Sequence, residues 1–246
     1  MTSKIQNTMT FTEHYDMRRI AYLYASIDKF GPLVYQKCKN EDELKKEIVK
    51  LKSFLEYVAY HNGKIDVEYD TKKDGRLFGK PQTIQMILGI VRNFLLQDKN
   101  VVDVDIVNAI SAVLLSVCAK YNIECKNLKY YYKNRQKIID DNYDGDKDLC
   151  KSFINPAFFK VAKKIKTSNK FEEGMKSDIE TIQNFIYEHD DFEKYREKAA
   201  DSCSKDNKTW NLKGRTLSYM YCDKECEILK EAMRWYSAKN LAVTNV

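Results

Sequence analysis

Apolar side chains recur at three- and four-residue spacing through EDELKKEIVKLKSFLEYVAY, residues 41–60, with Leu44, Ile48, Leu51, Leu55 and Val58 on one stripe. This predicts an amphipathic helix, capped by Asn40 and stopped by His61-Asn62-Gly63. A further helix is predicted around RRIAYLYASIDKF. KIDVEY, 64–69, alternates apolar and polar residues and predicts a strand. The segment 71–98 begins in a turn and becomes apolar from Ile84 to Leu96. Residues 101–107 carry β-formers at every second position and predict another strand. The period turns helical over 108–121, again over 128–139, and over 147–166, where Pro156 is expected to kink or end the helix. A polar helix or helix pair is predicted over 170–195, and SKDNKTWNLKG reads as a loop. A long helix follows over 214–240, with Leu217, Met220, Ile228, Leu229 and Met233 stepping round it, and LAVTNV reads as the start of a strand. These elements add up to an α+β fold, mostly helical with a small antiparallel sheet.

Composition narrows the class. Three Pro and eight Gly in 246 residues force few turns, which favours helix. No apolar run is long enough to cross a bilayer, and the N-terminus lacks a basic-then-apolar signal, so an intracellular chain with no membrane partner is expected. The seven cysteines form no CxxC pair and there are three histidines, so reduced thiols rather than a zinc site are expected. The net charge of +6 suits a nucleic-acid binder without demanding one.

The candidate chemistry lies in NVVDVDIVNAISAVLLSVCAKYN, 100–122. On a strand Asp103 and Asp105 face the same way, with Val102 and Val104 on the other face. Two like charges there repel unless a cation joins them, and Mg²⁺ takes oxygen ligands while leaving positions open for phosphates. A solvated strand face is the alternative.

The residues around this pair resemble superfamily A nucleic-acid polymerases. Gly75-Arg76-Leu77, Ile84-Gln85, Ile87 and Val91-Arg92-Asn93-Phe94 stand in the order of that group's T-G-R-L turn, L-Q-N-I stretch and I-R-x-x-F stretch, ahead of the strand whose Asp holds metal ions. Asp103-Val104-Asp105, Asn108-Ala109 and KYNIECKNLKYYYKNRQKII resemble the diverged transposon–virus branch, which reads D-I-D-x-x-N-A-H-P and then YNI…L…Y…NR…I. NLKGRTLSYMYCDKECEILKEAM resembles the group's later N-x-x-G-x-x-L-S…E…I-L segment.

The resemblance covers 64–246 and implies a palm-like sheet, with residues 63–246 as a palm-and-fingers core; residues 1–62 match no part of it and, by position alone, are expected to be a thumb-like or accessory helical region. It implies DNA-directed nucleotidyl transfer by a two-metal mechanism in a virus or mobile element, placed in the host cytoplasm, a viral factory or the nucleus. Asp105, supported by Asp103, would hold Mg²⁺. Lys147 and Lys151, four apart on one helix face, would meet the triphosphate. Arg76 and Arg92 would contact the primer–template backbone, with Gln85 and Arg135 as further substrate contacts. Tyr130, Tyr131 and Tyr132 are candidates for base stacking or for core. Three positions depart from the pattern. Ile110-Ser111 replaces His-Pro, NPAFF replaces a glycine pair, and no Asp-Gly follows LAVTNV. The chain is therefore expected to be a fragment, one part of a split polymerase completed by a C-terminal polypeptide, or a decayed element, and to be inactive alone. Two other classes stay open: a non-catalytic nucleic-acid-binding replication protein, and an unrelated helical interaction protein.

Overall fold

The alternating segment Lys64–Thr71 (β2) is the middle strand of a three-stranded antiparallel sheet in order β1-β2-β3. In the computed structural model, residues 9–30, 38–71, 77–80, 82–97, 106–161, 164–205 and 209–239 are described. The chain divides into two compact units, Met1–Val104 with Leu229–Val246, and Asp105–Ile228. The expected boundary at 62/63 falls inside the first of them.

In unit 1, β1 (Met9–His14) pairs with β2 in the register Phe11↔Val67, and β3 (Leu77–Lys80) pairs on the other side with Gly79 opposite Tyr69. Residues 1–62 are thus not purely helical, because β1 joins the sheet. Ile65, Val67 and Tyr69 are buried on one face of β2, as the alternation predicts. Helix α1 (Met17–Ala25) starts on Asp16, whose carboxylate accepts from the Arg18 N–H at 2.8 Å. Helix α2 (Glu41–Tyr60) has the predicted bounds. Asn40 caps it by accepting from Glu43 N–H at 2.9 Å, and it buries Leu51, Phe54, Leu55 and Val58. It ends where Asn62 and Gly63 adopt positive φ, 53° and 77°. A Cβ on Gly63 would stand 2.6 Å from the Tyr15 carbonyl oxygen, so the turn needs glycine for space as well as for φ. A short 3₁₀ turn at Ile84–Met86 and helix α3 (Gly89–Leu95) complete the described part of this segment, burying Ile84, Val91 and Leu95.

Unit 2 is helical. Helix α4 (Ala109–Lys120) leaves Asn108, which holds φ 52°, ψ 39°, a left-handed conformation that Asn tolerates better than most residues. Helix α5 (Lys126–Tyr143) contains one non-helical residue, Asn134 at φ −125°, and the Asn134 side-chain amide donates to the Tyr130 carbonyl at 3.0 Å. Helix α6 (Lys147–Phe159) contains Pro156 and ends three residues later. Helix α7 (Lys170–Glu188), α8 (Glu193–Lys205) and the start of α9 (Leu212–Ala238) follow. Their core is one cluster that includes Leu114, Leu128, Ile138, Phe158, Ile179, Leu217 and Met220. Ile228, expected on the apolar stripe of α9, is 44% exposed.

Helix α5 has no capping side chain at Cys125. Its first turn is capped from a distance by Asp178 on α7. One carboxylate oxygen accepts from Asn127 N–H at 2.7 Å and Leu128 N–H at 2.9 Å, and the other from the Asn127 amide at 3.1 Å. A negative charge there also opposes the positive end of the helix dipole.

None of the seven cysteines is in a disulfide, and six of them are buried. No described helix is long and apolar enough to cross a membrane. The expected strand at 101–107 lies outside the described residues as far as 105. Within it, Ile106 is irregular and Val107 opens the turn into α4, 73% exposed. The expected strand LAVTNV also lies outside the described residues.

Candidate functional site

Asp103, Asp105 and Arg76 lie outside the described residues, so the divalent-cation reading rests on the sequence. Among the described residues no group of three or more His, Cys, Asp or Glu is placed to hold a metal ion. The remaining sequence-predicted residues divide between the units. Gln85 and Arg92 are in unit 1, and Arg135, Lys147 and Lys151 in unit 2.

In unit 1, Gln85 is turned inward, where its side-chain oxygen accepts from Gly79 N–H at 3.0 Å and ties the 3₁₀ turn to β3. Arg92 is half-buried on α3. Close to Gln85 is a cluster that the sequence did not single out. Glu13 on β1 is only 4% exposed. Its Oε1 accepts from Tyr69 Oη and Thr83 Oγ1, each at 2.7 Å, and its Oε2 from Ile84 N–H at 3.2 Å and from the Tyr15 hydroxyl. Burial, with the Glu13 charge added, pushes the Tyr15 phenol far up, so it stays a donor. A carboxylate buried this deeply is tolerable only because donors converge on it.

In unit 2, Lys147 opens α6 behind its N-cap Asp146, which accepts from Asp148 N–H at 2.8 Å and Leu149 N–H at 3.0 Å. Lys147 and Lys151 are both exposed, one turn apart on the same side of α6. Lys151 reaches Asp148 at 3.5 Å, an exposed pair of small energetic weight. The i, i+4 spacing thus holds as a shared solvent face. Arg135 does not join them. It is half-buried, bonds the Tyr131 hydroxyl and lies near Cys150 on the buried side of α6. Its Nε is buried with no hydrogen-bond partner. The three tyrosines of α5 separate: Tyr131 is core at 4% exposure, while Tyr130 and Tyr132 are 47% and 41% exposed. Ile110, where the resembled family carries His, packs against the core, and the Ser111 hydroxyl beside it is buried without a partner.

The other face of α6 lines a groove of about 380 Å³. Leu149, Ser152, Phe153 and Pro156 form one wall, on positions i, i+3, i+4 and i+7. Lys160, Lys164 and Lys166 stand across from them, with Ile165 and Ser168, and Tyr143 and Glu172 also line it. Tyr143 donates to Glu172 Oε1 at 2.9 Å, and Ser168 N–H donates to Glu172 Oε2 at 2.6 Å. Burial, and then this bond to Glu172, pushes the Tyr143 phenol up. Lys164 Nζ lies over the Trp210 ring, 3.4 Å from its centre. The basic run KVAKKIK after Pro156 is the available signal for this groove, but it registers as a solvated helix tail when read by period alone.

Comparison with protein-family models, with curated proteins and with solved structures finds no match for this chain.

Proposed function

We propose that the chain is the palm-and-fingers portion of a superfamily A-like DNA polymerase of a virus or mobile element. In this reading Asp105 and Asp103 hold Mg²⁺, and Lys151 and Lys147 face the triphosphate of the incoming nucleotide. Arg76 and Arg92 contact the primer–template. The observation that carries it is the order of the elements. Strand β3, the 3₁₀ turn holding Gln85, α3 holding Arg92 and the helix α4 follow one another along the chain, an order that supports this reading. The left-handed Asn108 supports it further, since it gives a physical reason for the Asn of the Asn-Ala pair three residues after Asp105. The solvent-facing pair Lys147 and Lys151 is sterically free to meet an anion.

Mn²⁺, as a paramagnetic stand-in for Mg²⁺, tests the reading in the full chain. Free Mn²⁺ is titrated by electron paramagnetic resonance with the wild type, Asp105→Asn and Asp103→Asn. Each substitution is expected to weaken the ion at least tenfold, with unchanged circular dichroism. Wild-type affinity in the double variant refutes the metal assignment.

The packing of Ile110 into the core favours a second reading, a nucleic-acid-binding protein without catalysis. It predicts that primer–template binding, measured by anisotropy, persists while Mn²⁺ binding ignores both aspartates.

A further inference from the structure

The lysine-lined groove of unit 2 is a different site from the one just proposed. It uses neither Asp103 and Asp105 nor Lys147 and Lys151, which occupy the other side of α6. Its two walls differ in chemistry. The α6 wall is apolar, with Leu149 52% exposed, Pro156 half-buried and Phe153 showing only its edge at 9%, while the Ser152 hydroxyl donates to the Leu149 carbonyl at 2.7 Å. The facing wall brings Lys160, Lys164 and Lys166 within seven consecutive positions. An inorganic anion would need only the second wall, and an apolar ligand only the first. A nucleotide matches both, because it joins an anionic phosphate to a flat apolar base.

The basic wall is held in place. Gln183 on α7, 2% exposed, donates to the Phe158 carbonyl at 2.9 Å and to the Lys160 carbonyl at 3.1 Å. Asn211 donates to the Phe159 carbonyl at 3.1 Å. These amides take up carbonyls that the helix end leaves without partners, and so fix how the chain leaves α6. Lys176 Nζ holds the Ile165 carbonyl at 3.1 Å. Trp210 holds the Lys164 ammonium by a cation–π contact. The one carboxylate in the lining, Glu172, already accepts from Tyr143 and from the Ser168 backbone, which draws its charge away from the space between the walls. Three lysines therefore line the groove against one engaged carboxylate. The exposed lysines leave its sides free, and the volume suits one nucleotide with the chain continuing on both sides.

We infer that this groove binds a nucleic-acid strand, with Lys160, Lys164 and Lys166 on its phosphates and a base laid against Leu149, Phe153 and Pro156.

The test uses the full chain and a labelled oligothymidylate, followed by fluorescence anisotropy over a series of NaCl concentrations. Substituting Lys160→Gln, Lys164→Gln and Lys166→Gln together is expected to weaken binding at least tenfold. It should also flatten the slope of log affinity against log salt by about 2, at roughly 0.7 for each single-strand phosphate that is no longer neutralised. Ser152→Trp, which fills the groove without touching a charge, is expected to weaken binding with the slope altered in the same sense. In a Trp235→Phe background Trp210 is the sole indole, and its emission should change on adding the oligonucleotide and stay constant when Lys164→Gln is added. Equilibrium dialysis of dTTP runs in parallel. Loss of dTTP binding in the triple variant, with oligonucleotide binding retained, makes a free nucleotide the occupant and overturns the strand proposal. An unchanged salt slope in the triple variant, with wild-type circular dichroism, overturns it as well. Asp105→Asn is expected to keep the oligonucleotide slope, so failure of the metal site and failure of the groove are read separately.

Discussion

Replacing Glu13 by Ala and by Gln should separate two costs that one substitution would merge. The carboxylate is buried and accepts from the hydroxyls of Tyr15, Tyr69 and Thr83 and from the Ile84 N–H. In Glu13→Ala these donors lose their acceptor. Tyr69 Oη and Thr83 Oγ1 are 3.3 Å apart and can bond each other, which rescues one of them. The Tyr15 hydroxyl and the Ile84 N–H are left without an acceptor. At about 1–3 kcal/mol for each orphaned buried donor, the loss is about 2–6 kcal/mol, with the vacated side-chain volume adding to it. Glu13→Gln keeps the volume and one carbonyl oxygen. That oxygen must face Ile84, because a backbone N–H cannot accept. The new amide then faces Tyr69 and Thr83, whose hydroxyls can turn and accept. Only the charge-assisted part of the bonds is lost, about 1–2 kcal/mol. A chain of two units is not suited to a single unfolding midpoint, so the assay is native-state hydrogen exchange, read over the peptides 9–14 and 64–71. Protection is expected to fall by about three powers of ten in Glu13→Ala and by about one in Glu13→Gln, at roughly 1.4 kcal/mol per decade. Equal losses in the two variants, or a loss below tenfold in Glu13→Ala, refute the argument that the bonds to this carboxylate hold the sheet together.

Two further outcomes follow from particular contacts. Gly214 lies in the first turn of α9, and a Cβ there would overlap the Phe159 carbonyl oxygen, which Asn211 already holds. Helix propensity alone favours Gly214→Ala by about 1 kcal/mol, and overpacking against fixed backbone costs about 1–3 kcal/mol, so weaker native-state hydrogen-exchange protection over 212–220 is expected. For Asp223, burial pushes the carboxyl up, but the Tyr195 hydroxyl at 2.5 Å and Lys194 at 3.0 Å bring it below its ordinary value. A carboxyl lowered on folding stabilises above its unfolded value of about 3.9 and loses that contribution as pH falls through the folded value. Asp223→Asn should therefore cost about 1–2 kcal/mol near neutrality, and denaturation curves should converge with wild type as the pH drops below about 4.

The contrast between α2 and β1 explains what can be read in advance. Helix α2 announces itself because its buried residues are apolar, its cap is local and its stop is an Asn-Gly pair. Strand β1 escapes the pattern because its one buried side chain is a glutamate, which a hydrophobic period counts as solvent-facing. The start of α5 is legible as a period and not as a cap, since the cap sits on another helix. The i, i+4 spacing of Lys147 and Lys151 does translate into a shared exposed face. Arg135 and Gln85 are engaged within the fold, by Tyr131 in one case and by Gly79 N–H in the other, partners that the sequence order alone does not reveal. The groove needs the fold itself. Its basic wall is set by Gln183 and Trp210, residues well downstream whose relation to Lys160 and Lys164 only tertiary structure supplies.

The cap that Asp178 places on α5 sets a schedule for synthesis. The N–H groups of Asn127 and Leu128 are made 51 and 50 residues before the carboxylate that accepts them. At about 5–20 residues per second on the ribosome, that separation is an interval of roughly 3–10 s. Throughout it, the first turn of α5 has only water for a partner. The α5 helix of a nascent chain should therefore fray at its beginning until α7 has emerged and docked. A pause before Asp178 would lengthen that interval, and a stop there would release a chain whose α5 lacks this anchor.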